Sequence, residues 1–76
     1  MKAIVIKTTC SSRQEAKNIA NVLVKEKLAA CVQLSEIESI YFWKDDICSD
    51  NETLLSIKTK KELFSKVQSR ILELHS

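Results

Sequence analysis

Residues 29–59, AACVQLSEIESIYFWKDDICSDNETLLSIKT, decide the fold because they predict two long strands joined by a tight turn. From residue 29 to residue 43 polar and apolar side chains alternate, which is the period of a strand. Residues 44–46, KDD, are typical of a turn, and residues 47–59 then predict the returning strand. Three residues of this second strand share one predicted face: Leu55, Ile57 and Thr59.

The alternation in the first of these strands changes phase. Val32 and Leu34 are at even positions, whereas the apolar series that begins at Ile37 is at odd positions. Because successive side chains of a strand point to opposite faces, such a change predicts a bulge or bend near residues 35–36.

The residues before this hairpin predict a strand and then a helix. Residues 2–9 contain the run AIVI at 3–6, which is apolar on both faces and favours a strand covered on both sides. Ser12 and Glu15 fit the S-x-x-E capping box, so we expect a helix from there to about Lys27.

The residues after the hairpin predict a second helix. Thr59 and Glu62 repeat the capping box, and an apolar stripe follows at helical spacing. The predicted order is βαββα in one α+β domain over residues 1–76. This order is one strand short of the split βαβ, or ferredoxin-like, unit. The first strand is therefore expected to border an open sheet edge.

The composition excludes several classes of function. The 76 residues include no glycine, so neither a phosphate-binding loop nor a dinucleotide fingerprint can form. A net charge of +2 is too small to favour nucleic acid, and no apolar run is long enough to span a membrane. Three cysteines without a secretory signal predict reduced thiols and a cytoplasmic protein. A core this small also needs support, such as a partner subunit.

The predicted hairpin is acidic. Residues 36–52 contain six carboxylates and one lysine, a charge of −5, so the other residues carry +7. The segment is interpreted as a solvated tip that deters edge aggregation, or as an arm that docks on a basic surface of a neighbouring subunit. A site for a hard cation is less favoured, because the spacing matches no known ligand loop.

Candidate chemistry is limited to cysteine and histidine. Cys10 precedes a predicted helix, whose dipole would lower the pKa of its thiol, although it could also be an ordinary loop cysteine. Cys31 is typical of a small buried hydrophobe. His75, the single histidine, could be a ligand or a structural residue. No nucleophile and base occur in a recognisable arrangement, so the sequence does not predict an enzyme.

The aromatic residues at the end of the first hairpin strand predict an interface. Tyr41 and Trp43 share one face, and such side chains dominate protein interfaces. Stacking on RNA bases is the rival interpretation, but the signature of an RNA recognition motif is missing.

Three blocks together resemble the divalent-cation tolerance protein CutA family: KLAACV at 27–32, SIYFWK at 39–44 and IKT at 57–59. The resemblance covers nearly the whole chain and implies a cytosolic, ferredoxin-like, non-catalytic protein. It also implies a homotrimer, copper or another divalent cation as a partner, and metal ligands among His75, Cys10 and Cys31. The family continues with a final strand and a terminal helix, so the resemblance implies that this chain is an incomplete domain.

A second hypothesis belongs to another class. Lys58, Lys60 and Lys61 lie around the predicted start of the second helix, where they could hold an anionic ligand. The chain would then be a small-molecule-sensing regulatory module on the same fold.

Overall fold

The computed structural model describes residues 2–75 and has the predicted βαββα order. The elements are β1 (Ala3–Cys10), α1 (Arg13–Lys25), β2 (Cys31–Trp43), β3 (Asp46–Lys60), a 3-10 turn (Lys61–Leu63) and α2 (Phe64–Leu74). The strands form one antiparallel sheet in the order β1-β3-β2. The α+β, ferredoxin-like prediction is confirmed. Neither helix has the length and apolar character needed to cross a membrane.

Both helices contribute to a single core on one face of the sheet. The buried apolar residues are Cys10, Ala16, Ile19, Leu23, Ala29, Leu55, Ile57, Val67 and Ile71. The predicted shared face of Leu55, Ile57 and Thr59 is confirmed, since all three are buried. The opposite face of the sheet carries no helix in residues 2–75, and Val5 is 53% exposed there. The prediction that β1 is covered on both sides is therefore wrong for the single chain.

The outer edge of β1 is open, as predicted. Its other edge pairs with β3 from Ala3↔Lys60 to Cys10↔Thr53, and no further strand lies beside it within the described residues. An unpaired edge is a site where another strand can add.

The predicted bulge near residues 35–36 is wrong. The pairing of β2 with β3 runs without interruption from Cys31↔Lys58 to Trp43↔Asp46. The apolar phase changes because the environment of the strand changes along its length. Val32 and Leu34 pack against the core below the helices, whereas the distal half of the hairpin extends past it.

The hairpin turn is tighter than predicted and consists of Lys44 and Asp45. Their φ angles are 53° and 62°, so both residues are in the left-handed region that a two-residue turn of this kind requires. The returning strand consequently begins at Asp46. The hairpin contributes to a molecule that is 44 Å in its longest dimension.

The first capping prediction is confirmed and the second is wrong. The Ser12 hydroxyl accepts a hydrogen bond from the Glu15 N–H at 3.1 Å and caps α1. The Thr59 hydroxyl instead donates to the Leu28 carbonyl at 2.6 Å, and the 3-10 turn that follows has no side-chain cap. Burial of Thr59 explains the difference, since a buried hydroxyl bonds to the nearest acceptor.

Candidate metal centre

Three elements meet at the point where β1 ends. Cys10 is the last residue of β1, Glu15 lies in the first turn of α1, and His75 caps the end of α2. One potential ligand atom from each residue, the thiol sulfur, a carboxylate oxygen and an imidazole nitrogen, lies within 4.8 Å of the other two. Residues far apart in sequence thus form a compact group of sulfur, oxygen and nitrogen donors.

Local structure fixes each of these side chains. Cys10 points to the helix-covered face and is only 1% exposed. The cap formed by Ser12 begins the helix at the turn that carries Glu15. The His75 N–H donates to the Ile71 carbonyl at 2.8 Å, and its Nε2 atom lies 3.1 Å from the Thr9 carbonyl oxygen. The imidazole is therefore held against the end of β1.

The electrostatics at Cys10 differ from the sequence prediction. Burial raises the pKa of the Cys10 thiol, and the nearby charge of Glu15 raises it further. The prediction that the helix dipole lowers this pKa is wrong, because desolvation and a neighbouring carboxylate both disfavour the thiolate. The thiol is protonated at neutral pH, so a ligand that binds the sulfur as thiolate must displace a proton.

An acidic cleft of about 340 Å³ borders this cluster. Its lining includes Glu36, Glu38 and Glu52, with Arg13 as the single cation among the lining residues. It adjoins the cluster through Thr53, which pairs with Cys10 in the sheet. Carboxylates that line a concave surface raise the local concentration of cations.

Cys31, the other predicted thiol ligand, lies at the opposite end of the sheet. It is exposed, so the prediction that it is a small buried hydrophobe is wrong. It pairs with Lys58, five residues along β3 from the partner of Cys10. At about 3.4 Å per residue, this separation is roughly 17 Å. The structure therefore joins Cys10 and His75 but does not bring Cys31 to them.

The predicted interface residues lie on the distal hairpin. Tyr41 and Trp43 are 41% and 61% exposed. The Tyr41 hydroxyl donates to Asp50 at 2.5 Å, and this bond raises the pKa of Tyr41 to about 12. The Lys44 ammonium lies 5.9 Å from the centre of the Trp43 ring. The hydrogen bond orients the Tyr41 hydroxyl, and both aromatic side chains are open to contact.

The predicted anion-binding lysines are partly brought together. Lys58 and Lys60 border one cleft, and Lys27, which the sequence did not single out, borders it as well. Lys61 instead begins the 3-10 turn, with its N–H donating to the Lys2 carbonyl at 2.8 Å.

Glu15 is the site residue that sequence reasoning missed. The capping box already accounts for a glutamate at this position, so the local pattern indicates no second role for its side chain. The available signal was its spacing from Cys10, because a carboxylate in the first turn of a helix lies close to the residue that leads into that helix.

Residues 4–76 match the family described as CutA1 divalent ion tolerance protein. The chain belongs to this family. The CutA resemblance of the sequence blocks is confirmed.

The chain is similar to CutA proteins from distant organisms. The divalent-cation tolerance protein CutA of Thermus thermophilus is 40% identical over 72 residues, which are 93% of this chain and 70% of that protein. The chloroplastic protein CutA of Arabidopsis thaliana is 41% identical over 70 residues, or 91% of this chain and 38% of that protein. The chain therefore spans from about two fifths to about seven tenths of the length of these relatives.

Solved structures agree in fold. The Cut A1 protein of Thermus thermophilus gives a TM-score of 0.86 at 39% identity, covering 97% of this chain and 73% of that one. A protein described as the periplasmic CutA of Archaeoglobus fulgidus gives 0.89 at 35% identity, covering 99% and 74%. Since relatives are named chloroplastic and periplasmic, membership of the family does not fix a cellular compartment.

Proposed function

We propose that this CutA chain serves divalent-cation tolerance by binding a transition-metal ion through Cys10, Glu15 and His75. The observation that carries the proposal is the convergence of three chemically different donor atoms within 4.8 Å. The family description, which names divalent ions, gives independent support.

The donor set fits a borderline-soft ion. Thiolate and imidazole favour copper and zinc, whereas magnesium and calcium prefer sites made of oxygen alone. Donor atoms of a tetrahedral zinc site are roughly 3.5 Å apart, so an approach of no more than about 1.3 Å between any two of these atoms would complete the geometry. Three protein ligands leave a fourth position for water or a second molecule. The general order of affinities makes copper the tightest-binding ion.

Each side chain has a distinct part in binding. Cys10 releases its proton to bind as thiolate, and Glu15 supplies a negative charge that offsets the charge of the cation. His75 supplies an imidazole nitrogen to the ion, and the contact of its Nε2 atom with the Thr9 carbonyl orients the ring. In this proposal the ion is bound and no reaction takes place at it, so the proposed role is non-catalytic. The name of the family refers to tolerance and to no reaction.

Self-association as a homotrimer is part of the same proposal. The distal hairpin exposes several large apolar side chains that the single chain leaves uncovered, among them Ile40, Phe42, Trp43 and Ile47. Contiguous exposed apolar surface is typical of protein interfaces. The negative charge of residues 36–52 and the positive charge of the remainder also favour contact between copies. Light scattering on a sizing column tests this point, with three chains expected and a monomer as the contradicting result.

A reducing compartment such as the cytoplasm is proposed for the protein. None of the three cysteines forms a disulfide, and a thiol ligand at Cys10 requires the reduced state.

Titration with cobalt(II) tests the metal site directly. Cobalt bound to a thiolate gives an ultraviolet charge-transfer band, which we expect in the parent chain and not in Cys10→Ser. His75→Ala and Glu15→Gln are expected to weaken binding. Cys31→Ser is the matched control, since it removes a thiol at the far end of the sheet. A band that survives Cys10→Ser, or that disappears with Cys31→Ser, would contradict the proposal.

A further inference from the structure

A groove of about 500 Å³ runs between the outer edge of β1 and the neighbouring side of α2. It is lined by residues 4–8 of β1 and by Phe64, Gln68, Ile71 and Leu72 of α2, and is called the edge groove below. We propose that the edge groove binds an extended acidic peptide of a separate polypeptide, which adds to the sheet as a fourth strand antiparallel to β1.

The sheet register shows which backbone groups of this edge are unpaired. The Lys61 N–H donates to the Lys2 carbonyl at 2.8 Å. Hydrogen-bonded pairs alternate along an antiparallel ladder, and the register of β1 with β3 is unbroken, so the even-numbered residues of β1 bond to β3. The N–H and carbonyl groups of Ala3, Val5 and Lys7 therefore point outward, where an added strand can bond to them.

His75 marks the point where an added strand has to end. Thr9 is the next odd-numbered residue of β1, and its carbonyl oxygen lies 3.1 Å from the His75 Nε2 atom. This contact agrees with the outward direction of the odd-numbered carbonyls, and it places the imidazole on the edge beyond Lys7. The open part from Ala3 to Lys7 is roughly 17 Å long, which matches a strand of about five residues.

The β1 strand has few features that would keep another strand away. Edge strands of natural proteins are commonly protected by charged side chains, by proline or by a bulge. Ala3–Cys10 contains no proline, its pairing with β3 has no bulge, and Lys7 is its single charged residue. The edge is therefore open to strand addition, and the groups on either side of it determine which peptide fits.

The helix side of the edge groove is apolar. Phe64, Gln68 and Leu72 follow one another at intervals of four residues, so they form one stripe along α2. The side chains of Phe64 and Leu72 are 44% and 73% exposed. An added strand would place every second side chain beneath this stripe and beside Ile4 and Ile6. Those positions of the peptide should therefore be apolar.

The other side chains of an added strand would lie beside lysines. Val5 pairs with Lys58 and Ala3 pairs with Lys60, so both lysines share the helix-free face with Lys7. No acidic residue occurs in β1 or in residues 53–60, the part of β3 that pairs with it. Acidic side chains complement this face, whereas the β1 strand of a second copy would bring like charges together. The surroundings of the edge thus favour a peptide in which apolar and acidic residues alternate.

Binding of the acetylated and amidated peptide EVEVEVE, followed by NMR, tests the proposal. We expect saturable binding with a Kd of about 0.1 mM or tighter. Amide exchange should become slower at Val5 and Lys7 and remain unchanged at Ile4 and Ile6, whose N–H groups already bond to β3. The peptide KVKVKVK should bind at least about tenfold more weakly. No saturable binding, or equal binding of the two peptides, would overturn the proposal.

Methylation of the peptide backbone distinguishes strand addition from apolar contact alone. Directly opposite residues of an antiparallel pair share a face, so the glutamates opposite Val5 and Lys7 would direct their N–H groups to β1. N-methylation of two glutamates is expected to abolish binding, whereas N-methylation of two valines should change the Kd by less than about threefold. Equal effects would contradict strand addition, and the reverse pattern would contradict an antiparallel strand.

Variants of the chain at exposed positions test the two sides of the edge groove. Leu72→Gln and Lys7→Glu are each expected to weaken binding of EVEVEVE about three- to tenfold. Lys66→Gln, at an exposed position of α2 away from the stripe, is the matched control and should leave the Kd unchanged. Equal effects of Leu72→Gln and Lys66→Gln would contradict the assignment. Peptide binding that weakens as the concentration of the chain rises would show that a second copy fills the edge, and would overturn it as well.

Discussion

Metal binding is expected to raise the thermal stability of the folded chain, and His75→Ala is expected to remove most of that gain. The donors Cys10 and His75 are separated by about 65 residues and come together only when β1 and α2 are packed. Closing a loop of that length in the unfolded chain costs about 4 kcal/mol on the chain-entropy scale used for cross-links. The unfolded chain should therefore bind the ion far more weakly than the folded chain.

The size of the effect follows from this preference. An ion at 100 times its Kd stabilises the state that binds it by about 2.7 kcal/mol. In a domain of this size, each kcal/mol raises the melting temperature by about 4–8 °C, so zinc should raise it by about 10–20 °C. Replacing His75 removes an exposed contact, that of Nε2 with the Thr9 carbonyl, so it should lower the metal-free melting temperature by less than the zinc shift.

Differential scanning calorimetry at fixed protein concentration measures these shifts. The parent chain, His75→Ala and the control Cys31→Ser are compared with and without zinc, in the presence of a thiol-free reductant. An equal zinc shift in the parent chain and in His75→Ala would refute the reasoning, because the ion would then be held elsewhere. Loss of the shift in Cys31→Ser would refute it as well.

Three further predictions concern individual groups. Zinc affinity should rise with pH above neutrality, by up to about tenfold per unit, because the pKa of Cys10 is raised and the thiol must lose its proton to bind. Glu15→Gln should lower the pKa of Cys10. A zinc affinity that does not change with pH in competition titrations would contradict this prediction. Tyr41 should titrate near pH 12 when followed by ultraviolet absorbance. Asp50→Asn should return the midpoint toward the ordinary tyrosine value near 10. An unchanged midpoint would show that the hydrogen bond to Asp50 is not what raises the pKa. Asp45→Gly should raise the free energy of unfolding by about 1 kcal/mol, because Asp45 has a φ angle of 62°, which glycine adopts at lower cost. A lower free energy of unfolding for the variant in urea would contradict this prediction.

Local sequence signals predicted the elements of the fold well. Ser12 marked the start of α1 because its cap bond depends on residues only three positions away. The hairpin was recognisable because its two strands are adjacent in sequence and its turn uses polar residues. Both signals are local, so no knowledge of tertiary contacts was needed.

The errors arose where tertiary contacts override local patterns. Thr59 was predicted to cap a helix, but it is buried and its hydroxyl donates to the Leu28 carbonyl instead. The change of phase after Leu34 looked like a bulge, but it reflects where the core ends along an unbroken strand. Neither the burial of one residue nor the reach of a core is encoded in a short window of sequence.

The metal centre could be predicted only in part for the same reason. Cys10 and His75 were singled out by residue type and family resemblance, but the sequence could not separate Cys10 from Cys31. Sheet register separates them, since the two residues pair with opposite ends of one stretch of β3. Glu15 was not predicted as a ligand because its place in the capping box already explains a glutamate at this position.

X-ray absorption at the zinc edge of the metal-loaded chain tests the central claim most directly. A site made by Cys10, Glu15 and His75 predicts one sulfur at about 2.3 Å and two or three nitrogen or oxygen neighbours at about 2.0–2.2 Å. The sulfur should disappear in Cys10→Ser and remain in Cys31→Ser. A shell without sulfur, or one with two or more sulfurs, would contradict a centre in which these three residues hold the ion.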